Sequence, residues 1–253
     1  MVTTMATQAR FHDRTVLVIG GLGGIGLACA LRFAAEGAHL VLVDLRDDGA
    51  QAALDACRQA GAASAVAHAC DVADEDRVQA LCARILQQRG RLDVLVNVAG
   101  AMLFKPLQDF SGADWQHLLG VNLLGPVHST RQWLHHARPG AAVVNVASVH
   151  ALMTTPLVAP YAAAKAALLS LTRSTAIEGR ARGLRANAIV PGAIDTPMLW
   201  SNPNLQSGAE AIAPGDVGTP ADIAAATAFL ASAEAGFITG ACLEVSGGRL
   251  ARL

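Results

Sequence analysis

The sequence is poor in tyrosine, in lysine and in net charge. Of its 253 residues only Tyr161 is a tyrosine and only Lys105 and Lys165 are lysines, and 19 basic side chains nearly balance 20 acidic ones. A charge close to zero argues against nucleic-acid binding, and an apolar content of 53% argues against a disordered chain. The single tyrosine and one of the two lysines stand four residues apart, which places them on one face of a helix.

We expect no export signal and no membrane-spanning segment, and the sequence contains no CxxC cysteine pair. Its first ten residues contain no continuous apolar run. Two stretches without charged side chains, residues 15–31 and 140–164, are interrupted by glycines or prolines, which argues against a spanning helix. The five cysteines form an odd set, and no His, Cys or Asp cluster has metal-ligand spacing. We therefore expect a cytoplasmic protein with buried, reduced thiols and no metal.

Short apolar runs alternate with helix-like segments along most of the chain. The runs lack strict apolar and polar alternation, as expected for strands that are covered on both faces. The predicted strands occupy residues 16–19, 40–43, 65–70, 94–98, 142–147 and 186–190. The predicted helices between them include residues 49–60, 74–88, 114–137 and 161–180. This order predicts an α/β fold with a doubly wound parallel sheet of the Rossmann type, and residues 1–253 are expected to form a single domain.

One stretch departs from this alternation. Residues 197–220 hold four prolines, three glycines and two asparagines. A loop of this length inside a compact domain is usually functional, so we predict that it is a substrate lid. No lysine or arginine occurs between Arg185 and Arg249, and we therefore expect the lid to offer no clamp for a phosphate or carboxylate.

A glycine-rich turn follows the first predicted strand and precedes a helix-like segment. Glycines let a backbone turn sharply and approach a pyrophosphate, which then lies at the positive end of the helix. Two registers fit, because Gly21, Gly23 and Gly26 match GxGxxG. Alternatively, Gly20, Gly24 and Gly26 match GxxxGxG. The residues of this turn that we predict to bind a cofactor are Gly20, Leu22, Gly23, Gly24, Ile25 and Gly26.

The second predicted strand ends at an acidic residue, Asp44. A carboxylate at this point accepts hydrogen bonds from the adenosine ribose and repels a 2′-phosphate. The predicted cofactor is therefore NAD, with Asp44 and Leu45 at its adenosine end. Arg46 keeps NADP open as an alternative, because a nearby arginine can turn to meet a phosphate.

Tyr161 and Lys165 suit a proton-transfer reaction. The tyrosine pKa, ordinarily ~10, must fall by about two to three units before the side chain can act as a base near neutrality. A lysine ammonium ~5 Å away contributes about 3 kcal/mol at an effective dielectric of ~20, which is large enough. The pair therefore predicts a phenolate base, with a chance pairing on one helix face as the alternative.

These residues and their spacing resemble the classical short-chain dehydrogenases/reductases, and the resemblance runs from about residue 15 to residue 248. The catalytic residues that it implies are Asn122, Ser148, Tyr161 and Lys165. Beyond the glycine turn, the segments similar to the family's cofactor motifs contain Asp71, Val72, Asn97, Ala99, Gly100, Pro191, Gly192, Ile194 and Thr196. Family members are commonly tetramers formed through the helices that carry Asn122 and Tyr161, so Trp133 is either core or interface.

The resemblance also implies a role for each catalytic residue. Tyr161 takes the hydroxyl proton of an alcohol while a hydride leaves for the nicotinamide. Lys165 lowers the pKa of Tyr161 and holds the nicotinamide ribose. Ser148 hydrogen-bonds the substrate oxygen, and Asn122 fixes a water that connects Lys165 to solvent.

The substrate site is expected between the segment after Ser148 and the lid. The side chains available there are mostly apolar, namely His150, Met153, Met198, Leu199 and Trp200. We therefore predict a small-molecule substrate, a neutral, cyclic or otherwise bulky secondary alcohol or its ketone. One alternative is reduction of a 3-oxoacyl group on an acidic carrier protein, which would dock on a basic cluster formed by Arg173, Arg180, Arg182 and Arg185. The other is a catalytically inactive NAD-binding regulatory protein.

Overall fold

Seven parallel strands form one sheet in the computed structural model, which describes residues 9–208 and 210–251. The strands of this sheet are β1 (Thr15–Ile19), β2 (His39–Asp44), β3 (Ser64–Ala69), β4 (Val94–Asn97), β5 (Ala142–Val146), β6 (Arg185–Pro191) and β9 (Cys242–Val245). Their spatial order is β3-β2-β1-β4-β5-β6-β9. The order reverses between β1 and β4, which is where a doubly wound sheet opens a binding crevice at its carboxyl edge.

Helices cover both faces of the sheet. They are α1 (Gly24–Ala35), α2 (Ala50–Ala60), α3 (Glu75–Arg89), α4 (Gly112–Leu119), α5 (Gly125–His136), α6 (Ala159–Gly179) and α9 (Pro220–Ala231). Buried side chains of α1, α2 and α9 form a core on one face, and those of α3 and α5 form a core on the other. Trp133 is completely buried in the second core. The predicted doubly wound α/β fold is confirmed.

The predicted strands agree with β1 to β6 within one residue at each end. The sequence analysis missed β9, because Glu244 interrupts its apolar pattern and the strand lies half-exposed at the edge of the sheet. The expectation that all thiols are buried is wrong for Cys242 in this strand, which is exposed, whereas the other four cysteines are buried. The first eight residues, which carried the expectation of no export signal, lie outside the described residues.

The predicted helix over residues 114–137 is interrupted by a π-helical turn, Gly120–Leu124, between α4 and α5. A π turn shifts the backbone donors by one residue. The carbonyl of Leu118 accepts a hydrogen bond from the side-chain amide of Asn122 at 2.9 Å. The turn thereby fixes the side chain of Asn122, which is fully buried.

The predicted lid contains two short helices, α7 (Pro197–Trp200) and α8 (Pro203–Gln206). Its two ends are joined, because β7 (Ala193–Ile194) pairs in parallel with β8 (Val217–Gly218). Residue 209, inside the predicted lid, lies outside the described residues. Among the described helices, none has both the length and the apolar content needed to cross a membrane.

Candidate active site

A cavity of about 610 Å³ opens at the carboxyl edge of the sheet. Loops that follow β1 to β6 line it, as expected for ligand sites in open α/β sheets. All of the sequence-predicted site residues border this cavity except Leu22, Gly26, Asn97, Asn122, Met153 and Trp200. The chain therefore brings most of the predicted cofactor, catalytic and substrate residues to one place.

The glycine turn after β1 has the geometry of a phosphate cradle. Gly20 and Gly24 have φ angles of 81° and 48°, which favour glycine. A Cβ on Gly26 would lie 1.8 Å from the carbonyl oxygen of Gly20, so this position packs α1 against the turn. Beside Gly23, by contrast, the described chain places no atom within 4 Å of such a Cβ. These requirements fall on Gly20, Gly24 and Gly26 and favour the GxxxGxG register.

The start of α1 and the end of β2 fit an adenine dinucleotide. No side chain of the described residues caps α1, so the N–H groups of its first turn are free to meet an anion beside the cavity. Asp44 Oδ2 accepts from the backbone N–H of Leu22 at 3.3 Å, and Oδ1 accepts from that of Leu45 at 2.8 Å. Arg46 is exposed and pairs with Asp48 at 3.3 Å. The residues present therefore fit a nicotinamide cofactor.

Asn97 does not reach the cavity. Its Nδ2 donates to Asn145 Oδ1 at 2.8 Å, and its Oδ1 accepts from Ser129 Oγ at 2.8 Å. These bonds occupy its amide within the core, and the structure therefore does not place the Asn97 side chain where it was predicted to contact the cofactor. Its role in the structure is to join β4 to β5 and α5.

Two predicted substrate residues also lie away from the cavity. Met153 is 66% exposed. Trp200 is 56% exposed, and its Nε1 donates to Asp195 Oδ1 at 2.7 Å. The structure therefore does not bring these two side chains to the cavity, because a sequence pattern does not define the direction in which an exposed side chain points.

Tyr161, Lys165 and Ser148 meet on one wall of the cavity. Tyr161 and Lys165 lie one turn apart on α6, and Lys165 Nζ is 5.6 Å from the centroid of the Tyr161 ring. Lys165 Nζ donates to the carbonyl of Val146 at 2.8 Å, which ties it to the end of β5. Ser148, two residues after β5, borders the same cavity beside the Tyr161 side chain. A hydroxyl, a phenol and an ammonium group are thus held together and nearly excluded from solvent.

Burial controls the protonation of this group in the protein alone. Burial raises the pKa of Tyr161, and the hydrogen bond from Ser148 only partly opposes this. Burial also lowers the pKa of Lys165 to about 8. In the cofactor-free protein, burial therefore outweighs the expected lowering of the Tyr161 pKa by Lys165, because both groups lose the water that stabilises their charges.

Asn122 lies behind the cavity wall. Its Nδ2 donates to the carbonyl of Ala101 at 2.8 Å, and its Oδ1 accepts from the N–H of Ala101 at 3.2 Å. A Cβ on Gly100 would lie 3.1 Å from Asn122 Oδ1 and 3.8 Å from Lys165 Nζ. A side chain at position 100 would therefore press against the Asn122 amide, which must shift by a few tenths of an ångström to make room.

The cavity contains polar residues that the sequence analysis missed. Asn202 and Glu210 reach it from the lid, and Arg249 reaches it from the segment after β9. Glu210 and Arg249 form an ion pair. The lid itself contains no lysine or arginine, but a guanidinium reaches the cavity from outside the lid. No local pattern indicates that position 249 folds back against position 210.

Two of the four arginines of the predicted basic cluster donate hydrogen bonds to backbone carbonyls within the molecule. Arg185 is buried and donates to the carbonyls of Leu230, Ala231, Ser232 and Ala235. Arg182 donates to the carbonyls of Leu134 and Ala137. Arg173 and Arg180 remain exposed. The surface offered to an acidic carrier protein is therefore smaller than the sequence suggests.

Known proteins resemble the chain over almost its whole length. A family model described as enoyl-(acyl carrier protein) reductase matches residues 20–249. A 3β-hydroxysteroid dehydrogenase of Eggerthella lenta is 38% identical over 244 residues, 93% of this chain and 93% of that protein. A cis-4-hydroxycyclohexanecarboxylate dehydrogenase of Sinomonas cyclohexanicum is 38% identical over 243 residues, 94% of this chain and 97% of that protein. The crystal structure of a short chain dehydrogenase from Burkholderia cenocepacia in complex with NADP has a TM-score of 0.88 at 31% identity, covering 94% of this chain and 98% of that one.

Proposed function

The chain belongs to the short-chain dehydrogenase/reductase family, and from this premise we propose that it interconverts a neutral, cyclic secondary alcohol and its ketone with NAD. Its relatives are named dehydrogenases and reductases, and the family binds a nicotinamide cofactor, so the chain is an oxidoreductase. The observation that best supports interconversion of an alcohol and a ketone is that Tyr161, Ser148 and Lys165 meet on one wall of the cavity.

Each of these side chains has a part in proton transfer. When bound, the cofactor supplies the acceptor for a hydride. In alcohol oxidation the Tyr161 oxygen, as phenolate, takes the hydroxyl proton of the substrate. Ser148 donates a hydrogen bond to the substrate oxygen and orients it toward Tyr161. The ammonium of Lys165 favours the phenolate, while its bond to the Val146 carbonyl keeps it in position.

The geometry around Asp44 supports NAD over NADP. Backbone N–H groups from Leu22 and Leu45 fix the carboxylate beside the cavity, where it would repel a 2′-phosphate. Arg46 pairs with Asp48 and is not among the residues that border the cavity. The repulsion is therefore not offset by the nearest arginine.

The lining of the cavity supports a cyclic alcohol. Apolar side chains such as Met102, Val121, Met198 and Leu199 border it, and an apolar wall favours a hydrocarbon ring over a highly charged substrate. Two relatives carry names that refer to a hydroxyl on a ring, a hydroxysteroid and a hydroxycyclohexanecarboxylate. Both are consistent with a ring that bears a secondary alcohol.

We extend the proposal to a cytoplasmic homotetramer. The five unpaired thiols favour a reducing compartment. Small exposed residues, Ala163, Ala166 and Ser170, follow one face of α6 and allow a second helix to approach closely. We expect sedimentation of the wild-type protein to give the mass of a tetramer, and Ala166→Arg to give a smaller species with unchanged secondary structure. A monomeric wild-type protein would contradict this part of the proposal.

The main test measures reduction of NAD or NADP by cyclic and open-chain secondary alcohols. We expect activity with NAD and a ring substrate, and Tyr161→Phe should lower kcat about 10²- to 10⁴-fold, the usual contribution of a positioned acid or base. Ser170→Ala, exposed on the same helix, serves as the control and should retain full activity. Undiminished activity of Tyr161→Phe would refute the role of Tyr161, and a strong preference for NADP would refute the role of Asp44.

A further inference from the structure

The cavity has a second polar region besides the one at Tyr161. Glu210 and Arg249 pair there, and Glu210 Oε2 also accepts from Asn202 Nδ2 at 2.9 Å. The side chain of Glu210 is only 6% exposed, and that of Arg249 is 23% exposed. The surrounding chain thus holds the carboxylate firmly and leaves part of the guanidinium open to the cavity.

His150 connects the two polar regions. Its ring centroid is 5.9 Å from that of Tyr161. Burial lowers the pKa of His150, and the charges of Glu210 and Arg249 act on it in opposite directions. Tyr161, His150 and the ion pair border the same cavity, so a ring-sized molecule whose hydroxyl meets Tyr161 can have a second polar atom at the ion pair.

Arg249 presents donors to this space and Glu210 presents few acceptors. Both carboxylate oxygens of Glu210 are already bonded, one to Arg249 and one to Asn202. Arg249 uses Nη2 for that bond, and within residues 9–208 and 210–251 its Nε and Nη1 have no hydrogen-bond partner. An oxygen atom of the substrate can accept a hydrogen bond from Nε or Nη1 of Arg249.

The charge of the pair limits which oxygen is suitable. Arg249 and Glu210 together are neutral, so a substrate carboxylate at this point would lie close to the buried negative charge of Glu210 and lose its hydration. A hydroxyl or keto oxygen accepts the same hydrogen bond without this cost. The site therefore favours an uncharged acceptor.

We propose that Arg249 is a specificity residue that donates a hydrogen bond to a second, uncharged oxygen of the substrate, remote from the hydroxyl that Tyr161 deprotonates. The inference rests on the proposed alcohol dehydrogenase function and narrows its substrate class to cyclic diols and hydroxyketones. Asn202 and Glu210 are positioning residues, because they act through the guanidinium.

The first test compares substrates on the wild-type enzyme with NAD. The panel contains cyclohexanol, the 1,2-, 1,3- and 1,4-cyclohexanediols, and 4-hydroxycyclohexanecarboxylate. We expect kcat/KM for the best diol to exceed that for cyclohexanol about tenfold or more, since a hydrogen bond to a charged donor has that effect. The carboxylate should be the poorest of the ring substrates.

The second test compares Arg249→Met, Arg249→Lys and Glu210→Gln with the wild type. Arg249→Met should abolish the ratio of diol to cyclohexanol mainly through KM, and Arg249→Lys should retain part of it. Glu210→Gln leaves the guanidinium uncompensated and should raise kcat/KM for the carboxylate. Arg173→Met, which removes an exposed arginine outside the cavity, is the matched control and should leave every ratio unchanged.

The outcomes separate the two proposals. If the wild type oxidises none of the alcohols, the proposed function fails and this inference fails with it. If cyclohexanol is oxidised but no diol is favoured, or Arg249→Met keeps the wild-type ratio, only the inference is overturned. A wild-type preference for the carboxylate would also overturn it. The wild-type comparison needs no variant to fold, so a wild type without a preference for any diol overturns the inference even if Arg249→Met is unstable.

Discussion

At the residue scale, the environment of Tyr161 differs from what its neighbours in sequence suggest. A lysine one helical turn away predicts an acidic phenol, yet burial raises the pKa of Tyr161 and lowers that of Lys165. In the cofactor-free protein the phenol of Tyr161 therefore holds its proton more tightly than a free tyrosine does. The oxidised cofactor carries a positive charge on its nicotinamide ring and is the component that can shift this balance.

The single tyrosine makes this balance measurable. In the cofactor-free protein we expect the ultraviolet signal of the phenolate to appear at a higher pH than in the urea-unfolded chain, where Tyr161 titrates near 10.0. Because the folded state holds this proton more tightly, its contribution to stability is lost as the pH rises from about 10 through the folded pKa. Tyr161→Phe is the control and should give no phenolate signal. A folded pKa below the unfolded one would contradict this explanation.

Residues were predictable where a local signal exists. Gly20, Asp44 and Tyr161 each stand at the end of a strand or on a helix face, and strand ends meet at one edge of the sheet. Arg249 was not predictable, because its partner lies 39 residues away and no periodic pattern joins them. The direction of the Trp200 side chain was not predictable either, because apolar composition does not determine which way a side chain of a short helix points.

At the scale of elements, the glycines of the turn between β1 and α1 have two different roles. Gly26 allows α1 to pack against the carbonyl of Gly20, whereas Gly23 leaves open space beside the cavity. One position therefore serves folding and the other serves the ligand. The sequence alone left two registers open, because both contain Gly26 and differ only in the other glycines.

Two alanine substitutions distinguish these uses. Gly26→Ala places a Cβ 1.8 Å from a backbone oxygen and should lower the free energy of unfolding by about 1–3 kcal/mol or more, as overpacking does. Gly23→Ala meets no described atom within 4 Å and should change stability by less than about 1 kcal/mol. Its methyl group narrows the cradle, however, so it should weaken NAD binding measured by calorimetry. Equal losses of stability in the two variants would argue against this division.

The strand β9 and the helix α9 were not predicted from the sequence. Glu244 breaks the apolar pattern of β9, whereas Asp222 stands before the apolar run of α9. In the structure Asp222 forms a capping box with Thr219 at the start of α9. Thr219 and Asp222 are thus a helix-start signal in the sequence, from which α9 could have been predicted.

At the scale of the whole molecule, one buried carboxylate connects distant parts of the chain. Glu36, at the end of α1, is fully buried and accepts from Arg10 Nη2 and Arg32 Nε, each at 2.7 Å. Arg10 also pairs with Glu234 after α9. Burial by itself would raise the pKa of Glu36, but the two arginines outweigh it and hold the pKa below its usual value.

This network predicts a specific dependence of stability on acid. Its contribution is present above the usual pKa of 4.5 and is lost as the pH falls through the lower folded pKa. Glu36→Gln should therefore lower the free energy of unfolding by about 1–3 kcal/mol at pH 7, and the difference from wild type should shrink in acid. Urea unfolding at several pH values measures both effects.

The control for this prediction is Asp55→Asn, which removes an exposed pair with Arg58. A surface pair of this kind contributes less than about 1 kcal/mol, so the control should change little at any pH. If the difference in the free energy of unfolding between Glu36→Gln and the wild type stays constant down to strong acid, the charge of the carboxylate is not what stabilises the fold.

Because Cys242 is exposed and the other four cysteines are buried, the number of thiols that react with a reagent shows whether the protein is folded. A thiol reagent added to the native protein meets one accessible sulfur at the edge of the sheet and four that are enclosed by the two cores. One rapid equivalent of modification therefore marks folded chains, and the slow appearance of the other four follows the opening of the cores. If a second copy covers the β9 edge, the rapid equivalent disappears as well, so the same titration distinguishes an isolated chain from an assembled one.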